Sequence, residues 1–593
     1  MCGICGELRF DGAPADLAAV ARMTERLRPR GPDHGGSYSD GILGFGHRRL
    51  SIIDLSERAN QPMVDQELGL ALVFNGTLYN YPELRAQLRK KGYRFFSEGD
   101  SEVILKAYRE WGEAAPERFH GMFAFAIWDM RERTLFMARD RFGIKPLYWT
   151  RNGDRFRFAS TVQALLAGGG VDPSLDAEAL HFQFTLHGVV PAPKTVLRGV
   201  RKLEPGRWMR IDAQGREQSA PYWRLDLEPA QPRSEEEWVE AVHEVLRRAV
   251  RRRNEIADVP VGVLLSGGLD SSLLVALLAE LGKENLHTFT IGFEDQPEEP
   301  GNEFEYSDQV VERYRPLHHK FLVPNSEVLT RLPEAVDAMA EPMFGQDAVA
   351  FYLLAEQVSK EIKVVQSGQG ADEVFGGYFW YPRIMEDGRG SCAERLRRHY
   401  FDREHREFLR MVTPSYRGED YTYRYVARRL EEFDGAQCID SVLALDVTTF
   451  IVDDPVKRVD NMTMAWGLEA RVPFLDHELV ELAARCPAEI KFESGGKHLL
   501  KRVARGRVPD AVIDRPKGYF PMPALKYVRG PFLEFMREVL ESRACRERGL
   551  FERDYIDMLL SAPDMHHTRI QGSKLWQLAL MELWLQRNVD GNV

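Results

Sequence analysis

Residues 263–272 read VLLSGGLDSS. A short run of branched apolar residues reads as a buried strand, and it enters Ser-Gly-Gly. A helix starts around Asp270 and runs on to Gly282. Two adjacent glycines turn the chain tightly and point several amide N–H groups into one concavity. With a helix N-terminus behind them, they make an anion site suited to phosphate or pyrophosphate. No Gly-Lys-Ser/Thr follows, so the loop is not a Walker A, and the spacing is not G-x-G-x-x-G. A bare carboxylate such as Asp270 facing phosphates makes sense when it holds a divalent metal between itself and them. An ordinary turn needs neither that carboxylate nor the two hydroxyls of Ser271 and Ser272.

Outward from this loop, strand and helix alternate. After VPVGVLL come the strand LHTFTIGF (286–293), a helix around 306–314, the strand LHHKFLV (317–323), a helix through 347–360 and the strand IKVVQSG (362–368). That order predicts a doubly wound parallel sheet. The remainder reads as mostly helical, ending in SKLWQLALMELWLQR (573–587), a packing helix.

The first 160 or so residues differ. Short strands rich in Phe, Ile, Leu and Val recur at 42–53, 70–76, 122–129, 134–140 and 156–160. Two helices, one from Pro82 to Gly92 and one at 101–112, interrupt them, which predicts sheets covered by helices. Residues 161–230 read as a Pro/Gly-punctuated connector. EPAQPRSEEEW (228–238) reads as a boundary, and the basic cluster RRAVRRR (247–253) as a solvated helix end.

The chain has 593 residues, a formal charge of −11, 44% hydrophobic and 28% charged residues. The length calls for more than one core, and the composition excludes general disorder. The acidic balance argues against a nucleic-acid partner. No apolar run approaches the roughly 20 residues of a membrane span, and MCGICGELRF is no secretory signal. Six Cys, at 2, 5, 392, 438, 486 and 545, form no disulfide framework, so a reducing, cytoplasmic setting is expected. Nothing in the sequence fixes the oligomeric state; a homodimer stays open.

Cys2 follows the initiator Met. With Met1 removed, it carries a thiol and a free α-amine with a pKa near ~8, so nucleophile and base sit on one residue. A Cys2/Cys5 metal or redox pair and an incidental small residue are the alternatives that these two positions leave open.

Two motif sets narrow the choice. CGICG, RGPDHGG (30–36), HRRLSIID (47–54), FNGTLYN (74–80), EGDSEVIL (98–105) and ARDRFGIKPLYW (138–149) resemble a class II glutamine amidotransferase domain. SGGLDSS, SGQGADEVFGGY (367–378), MAWGLEARVPFLDHELVELA (464–483), GGKHLLKR (495–502) and DRPKGYF (514–520) resemble the synthetase half of glutamine-dependent asparagine synthetases, a branch of the ATP-pyrophosphatase family. The resemblance implies an α+β N-terminal-nucleophile glutaminase of αββα architecture over 2–220, followed by an α/β ATP-pyrophosphatase-like ligase over 235–593.

It also implies roles. Cys2 attacks the glutamine amide, and Asn75 (side chain) and Gly76 (backbone) donate to the oxyanion. Arg49 grips the glutamine α-carboxylate and Asp100 the α-ammonium. Ser266, Gly267, Gly268, Ser271 and Ser272 hold the ATP phosphates, and Leu265, Ile291, Ser367 and Gly368 line the adenosine site. Asp270 and Asp372 bind Mg²⁺, and Lys497 offsets charge on the leaving pyrophosphate. The ligase would join ATP to a carboxylate as an acyl-adenylate, which ammonia then opens. Ammonia made at Cys2 needs an internal channel, whose lining the sequence does not identify.

The chain departs from the family in places. Relatives read Asn-Gly-Glu where this chain has Asn75-Gly76-Thr77, which thins the contacts of the glutamine-binding set at Thr77. The third position of SGQGADE, a carboxylate in asparagine synthetases, is Gln369, which carries no charge; Asp372 and Glu373 follow in the same acceptor region. Phe351 stands in a Thr position and Asn461 in an Arg position. These substitutions resemble a subgroup that amidates the terminal carboxylate of N-acetylglutaminylglutamine, making a compatible solute. Aspartate is the alternative acceptor. A non-catalytic relative or a stand-alone glutaminase is the alternative of another class.

Overall fold

The computed structural model describes residues 2–228, 233–433, 436–516, 518 and 522–592. Met1, Lys517, Tyr519 and Phe520, part of two motifs above, lie outside them.

The N-terminal half stacks two six-stranded antiparallel sheets. Cys2–Arg9 lies in one, paired with Leu43–Arg49 in the register Cys2 opposite Arg49. Leu70–Leu78 lies in the other, between Met63–Asp65 and Gly121–Asp129. Side chains alternate along a strand, and the core follows. Ile4, Leu8, Leu43 and Phe45 of the first sheet meet Ala71, Val73, Ala124 and Trp128 of the second. On the far face of the second sheet, Leu70, Leu72 and Phe74 pack under the helices Tyr81–Lys90 and Asp100–Trp111. Leu17–Arg26 and Val162–Gly168 cover the first sheet, where Cys5, Met23 and Leu165 are buried. The result is four layers, helix, sheet, sheet, helix.

The supposed connector at 161–230 is built into this unit. Arg201–Lys202 joins the first sheet beside Tyr148–Asn152, and Arg207–Asp212 with Glu217–Pro221 extends the second. Strands this short, broken by Pro and Gly, leave little periodicity to read.

The second half centres on a five-stranded sheet whose paired strands all run parallel. Its spatial order is Leu317–Val323, His287–Phe293, Val261–Leu264, Val364–Gln366, Glu469–Arg471. Strands added first on one side and then on the other create a switch point between Val261–Leu264 and Val364–Gln366. A crevice at the carboxyl ends of those two strands is where such sheets take ligands. The C-terminal helix Lys574–Asn588 is buried along most of its length, as its Leu/Trp/Met spacing predicts. Of the basic cluster, Arg248 and Arg252 pair with Glu478, while Arg253 is buried against Asp476.

Buried ion pairs join the two halves. Arg30 and Lys145 each reach Asp460 at 2.9 Å, and Lys202 contacts Asp453 at 2.5 Å and Glu341 at 3.2 Å. Charges taken out of water this completely hold only when paired, so the network fixes the docking geometry more than it adds stability. One cysteine expectation changes: Cys392 and Cys438, on the helices Cys392–Tyr400 and Cys438–Leu445, form a disulfide. A 46-residue separation gives no local signal for that pairing. Cys2, Cys5, Cys486 and Cys545 are free and buried.

Candidate functional site

Two separate clusters of polar side chains gather the residues singled out by sequence. The first sits at one end of the sheet sandwich. Alternation places Cys2 on the inward face with Ile4 and Leu8, Arg49 with Leu43 and Phe45, and Asn75 and Thr77 with Ala71 and Val73. Three strands therefore bring these four side chains together: Cys2, Arg49 and Thr77 line one small cavity with Gly76, Gln61, Asp100, Ser101 and Glu469, while Asn75 lies just off its wall, bonded to Cys2.

The Cys2 amide donates to Asn75 Oδ1 at 3.1 Å. The other end of that side chain, Asn75 Nδ2, is buried with no hydrogen-bond partner among the described residues. A buried amide donor without a partner costs about 1–3 kcal/mol, so the fold keeps a donor ready beside the thiol. Burial pushes the Cys2 thiol above its usual range, opposed by the Leu50 backbone and Arg49. Arg49 is held by the carbonyls of Ser56 and Asp54 and by Asn60 Oδ1 at 2.7 Å. Asp100 opens the helix Asp100–Trp111 and accepts from the Leu78 amide at 3.0 Å. Burial raises its carboxyl to about 6, and Glu469 adds to the rise. Cys5 is fully buried, its thiol pushed up to about 12 by burial, as a packed residue should be.

The second cluster occupies the switch point. The loop after Val261–Leu264 turns at Gly267, φ +76°, where a Cβ would meet the Ser307 amide at 2.8 Å. Ser271 Oγ receives the Ser266 amide at 3.1 Å, which closes the loop on the start of the helix Leu269–Glu280. Leu265, Ser266, Gly268, Asp270, Ser271, Ile291, Ser367, Gly368, Gln369, Asp372 and Lys497 line one cavity. Ser272 is fully buried behind the loop, off the cavity wall.

Asp270 and Asp372 converge from the first turns of two helices on one cation: Lys497 Nζ lies 2.6 Å from Asp270 and 2.8 Å from Asp372. Burial works against the Lys497 charge, but the two carboxylates outweigh it and raise its pKa. Gly377 makes room, since a Cβ there would lie 2.0 Å from Asp372 Oδ1 and 2.3 Å from Lys497 Cε. Two hard carboxylate oxygens meeting on one cavity are a donor set that suits Mg²⁺ held together with phosphates.

A second cavity adjoins this one and shares Asp347, Tyr378 and Arg458 with it. The short helix Ala371–Phe375 separates them, with Asp372 on one side and Glu373 on the other. The second cavity has an aromatic wall of Phe344, Trp380, Tyr400 and Phe450. Arg458 is held there between Asp347 at 3.0 Å and Asp454 at 2.5 Å. Asp446, which receives the Tyr381 hydroxyl, is pushed well above the carboxylate range, chiefly by burial and then by Glu373. Asp446 and Asp454 lie on consecutive π-helical turns, Asp446–Phe450 and Val452–Val456, a geometry frequent at functional sites. Sequence reasoning missed this cavity. Of its residues, Glu373 was named for the acceptor region and Tyr378 lies in the same quoted motif; the rest carried no signal. Asn461 is buried, accepts from the Ala340 amide at 2.8 Å and lines neither cavity. Phe351 lines the first.

Comparison with known proteins covers both clusters. The glutamine amidotransferase domain family matches residues 1–223, and the asparagine synthase family matches residues 241–586. The chain is 32% identical to asparagine synthetase (glutamine-hydrolyzing) 1 of Bacillus subtilis, an alignment covering 100% of this chain and 97% of the relative. It is 35% identical to a putative asparagine synthetase (glutamine-hydrolyzing) of Mycobacterium tuberculosis, with 90% of each covered. A protein named amidase chry2, of Gibberella zeae, is 28% identical over 93% of each chain. Across both halves the chain belongs to the glutamine-hydrolysing asparagine synthetase family of carbon–nitrogen ligases.

Proposed function

We propose that the chain amidates the terminal carboxylate of an acylated dipeptide, N-acetylglutaminylglutamine or a close analogue, through an acyl-adenylate. The glutaminase would occupy 2–220 and the ligase 235–593. The observation that carries the acceptor reading is the second cavity, set against the nucleotide cleft and sharing Asp347, Tyr378 and Arg458 with it. Free aspartate asks for a compact site matching two carboxylates and an ammonium. This cavity instead offers flat rings, Gln346 and a buried Asp446 whose ionisation burial opposes, and its Arg458 is already met by Asp347 and Asp454, an arrangement suited to amide bonds.

In this reading ATP lies on the SGG loop, with its phosphates at Ser266, Gly268 and Ser271. Asp270 and Asp372 would hold Mg²⁺, which shields the phosphates and favours pyrophosphate departure. The acceptor carboxylate attacks the α-phosphorus, giving acyl-AMP and pyrophosphate; Lys497 offsets the charge leaving. Ammonia then displaces AMP. Gln369 orients the acyl-adenylate by hydrogen bonding and takes no proton. At the other cluster, the Cys2 α-amine takes the thiol proton and the thiolate attacks the glutamine amide. The oxyanion falls to Asn75 Nδ2 and the Gly76 amide, and ammonia leaves a thioester that water clears.

The acceptor is tested by pyrophosphate release with ATP, Mg²⁺ and glutamine, offering N-acetylglutaminylglutamine and aspartate separately and weighing the products. Amide is expected from the dipeptide; conversion of aspartate alone overturns the reading.

Asp100 gives a pH signature. Only its ionised form holds an α-ammonium, and burial raises its carboxyl to about 6. A raised acid loses its charge earlier on acidification. The kcat/KM for glutamine is therefore expected to fall as pH drops through about 6, by up to about tenfold per unit, since this ratio reports the free enzyme's groups. Asp100→Asn should weaken glutamine at every pH and remove that limb; an unchanged profile would count against the role.

A further inference from the structure

We infer that Glu469, a residue of the ligase half, is part of the glutamine site and supplies the carboxylate that the glutaminase half lacks at Thr77. The inference rests on reading the Cys2 cavity as the glutamine site. Glu469 begins the edge strand Glu469–Arg471 of the parallel sheet, yet it lines the cavity that holds Cys2, Arg49 and Asp100. It is fully buried there. Thr77 Oγ1 donates to its two oxygens at 3.2 and 3.4 Å, across the boundary between the halves.

Charge balance argues the same way. A glutamine zwitterion brings a carboxylate, which Arg49 meets, and an ammonium in a water-poor cavity. Asp100 is the single carboxylate there from the glutaminase half, and burial weakens its ionisation. Burial also opposes the Glu469 charge, but Arg471, with Nε at 2.5 Å from Oε1, prevails and keeps it ionised. Arg471 is itself pinned by the carbonyls of Arg253 and Ile256, each at 2.8 Å. Glu469 is thus a fixed negative charge facing Thr77, on the strand face that carries Asn75. A Glu at position 77 would place a second carboxylate against it; a Thr instead donates to it. Glutamine binding then depends on the two halves being docked, because one wall of the site belongs to the ligase.

The test uses the full chain and measures glutamate release from glutamine and glutarate release from glutaramate, which is glutamine without the α-amine. For Glu469→Gln, KM for glutamine is expected to rise about tenfold or more with kcat little changed, the loss of one charge-assisted contact made equally in ground and transition states. The preference for glutamine over glutaramate should shrink by the same factor. Adding Thr77→Glu to Glu469→Gln should restore part of it. An unchanged KM, or equal losses for both substrates, overturns the inference, since a merely structural role would not distinguish them. Glutamate release that survives Cys2→Ala would overturn the reading of the cavity itself, and this inference with it.

Discussion

Cys2→Ala is expected to abolish amide formation from glutamine while leaving amide formation from ammonia intact. Glutamine-dependent synthesis should fall by roughly 10³-fold or more, the scale on which removal of a nucleophile acting with its base is felt. The argument is positional. In the proposed mechanism the thiol and the α-amine that activates it belong to one residue, and among the described residues that line the cavity there is no second Cys and no His, so no neighbour takes over. The truncation itself is small. Cys2 is buried at the edge of the sandwich, beyond Ile4 and the layer it packs with, so the sheets lose little. The nucleotide cluster lies on the other sheet system and shares no lining residue with the Cys2 cavity. Ammonia supplied from solution therefore meets an unaltered ligase. Product mass and pyrophosphate release, measured with each nitrogen source, check it. Loss of both activities would mean that the halves do not work separately.

Parts of this organisation were legible in the sequence because local chemistry dictates them. Ser-Gly-Gly after an apolar strand reads as a tight turn into a helix, and the chain turns there at Gly267. The alternation from 258 to 368 fixes a parallel sheet, observed as Val261–Leu264, His287–Phe293, Leu317–Val323 and Val364–Gln366. Cys2, Arg49, Asn75 and Asp100 were separable as chemistry; the alternation of three strands brings the first three together, and the start of the helix Asp100–Trp111 adds the fourth. What stayed hidden depends on contacts between distant segments. Glu469 looks like one acid in a strand until the docking of the halves turns it toward Thr77. Asp446, Asp454 and Arg458 sit on consecutive helical turns whose π-helical winding no periodicity announces. Cys392 and Cys438 pair because two helices pack together, and that packing is set by the core.

Lys497→Met is expected to stop pyrophosphate release with either nitrogen source, lowering kcat by roughly 10²–10³-fold, the usual cost of removing one preorganised charge that meets a transition state. Lys497 sits at φ +55°, a strained position for a side chain of this size, at the start of the helix His498–Ala504. A residue held there against its backbone preference is held by its partners, here Asp270 and Asp372 at 2.6 and 2.8 Å. Without it, two carboxylates face each other in a cleft built for phosphates, and repulsion adds to the lost attraction. Lys497→Arg should fare little better. A planar guanidinium does not fit where Gly377 already admits no Cβ, and it spreads the charge that an ammonium concentrates. Glutamate release should persist in both variants, since the Cys2 cavity is separate from the nucleotide cleft. The variants also separate two roles for Lys497. If it only neutralised Asp270 and Asp372, Lys497→Met would weaken ATP binding, and KM for ATP would rise with kcat little changed. If it stabilises the departing pyrophosphate, kcat falls with KM for ATP little changed, and the two carboxylates that hold Lys497 charged without ATP are what ready it for that charge.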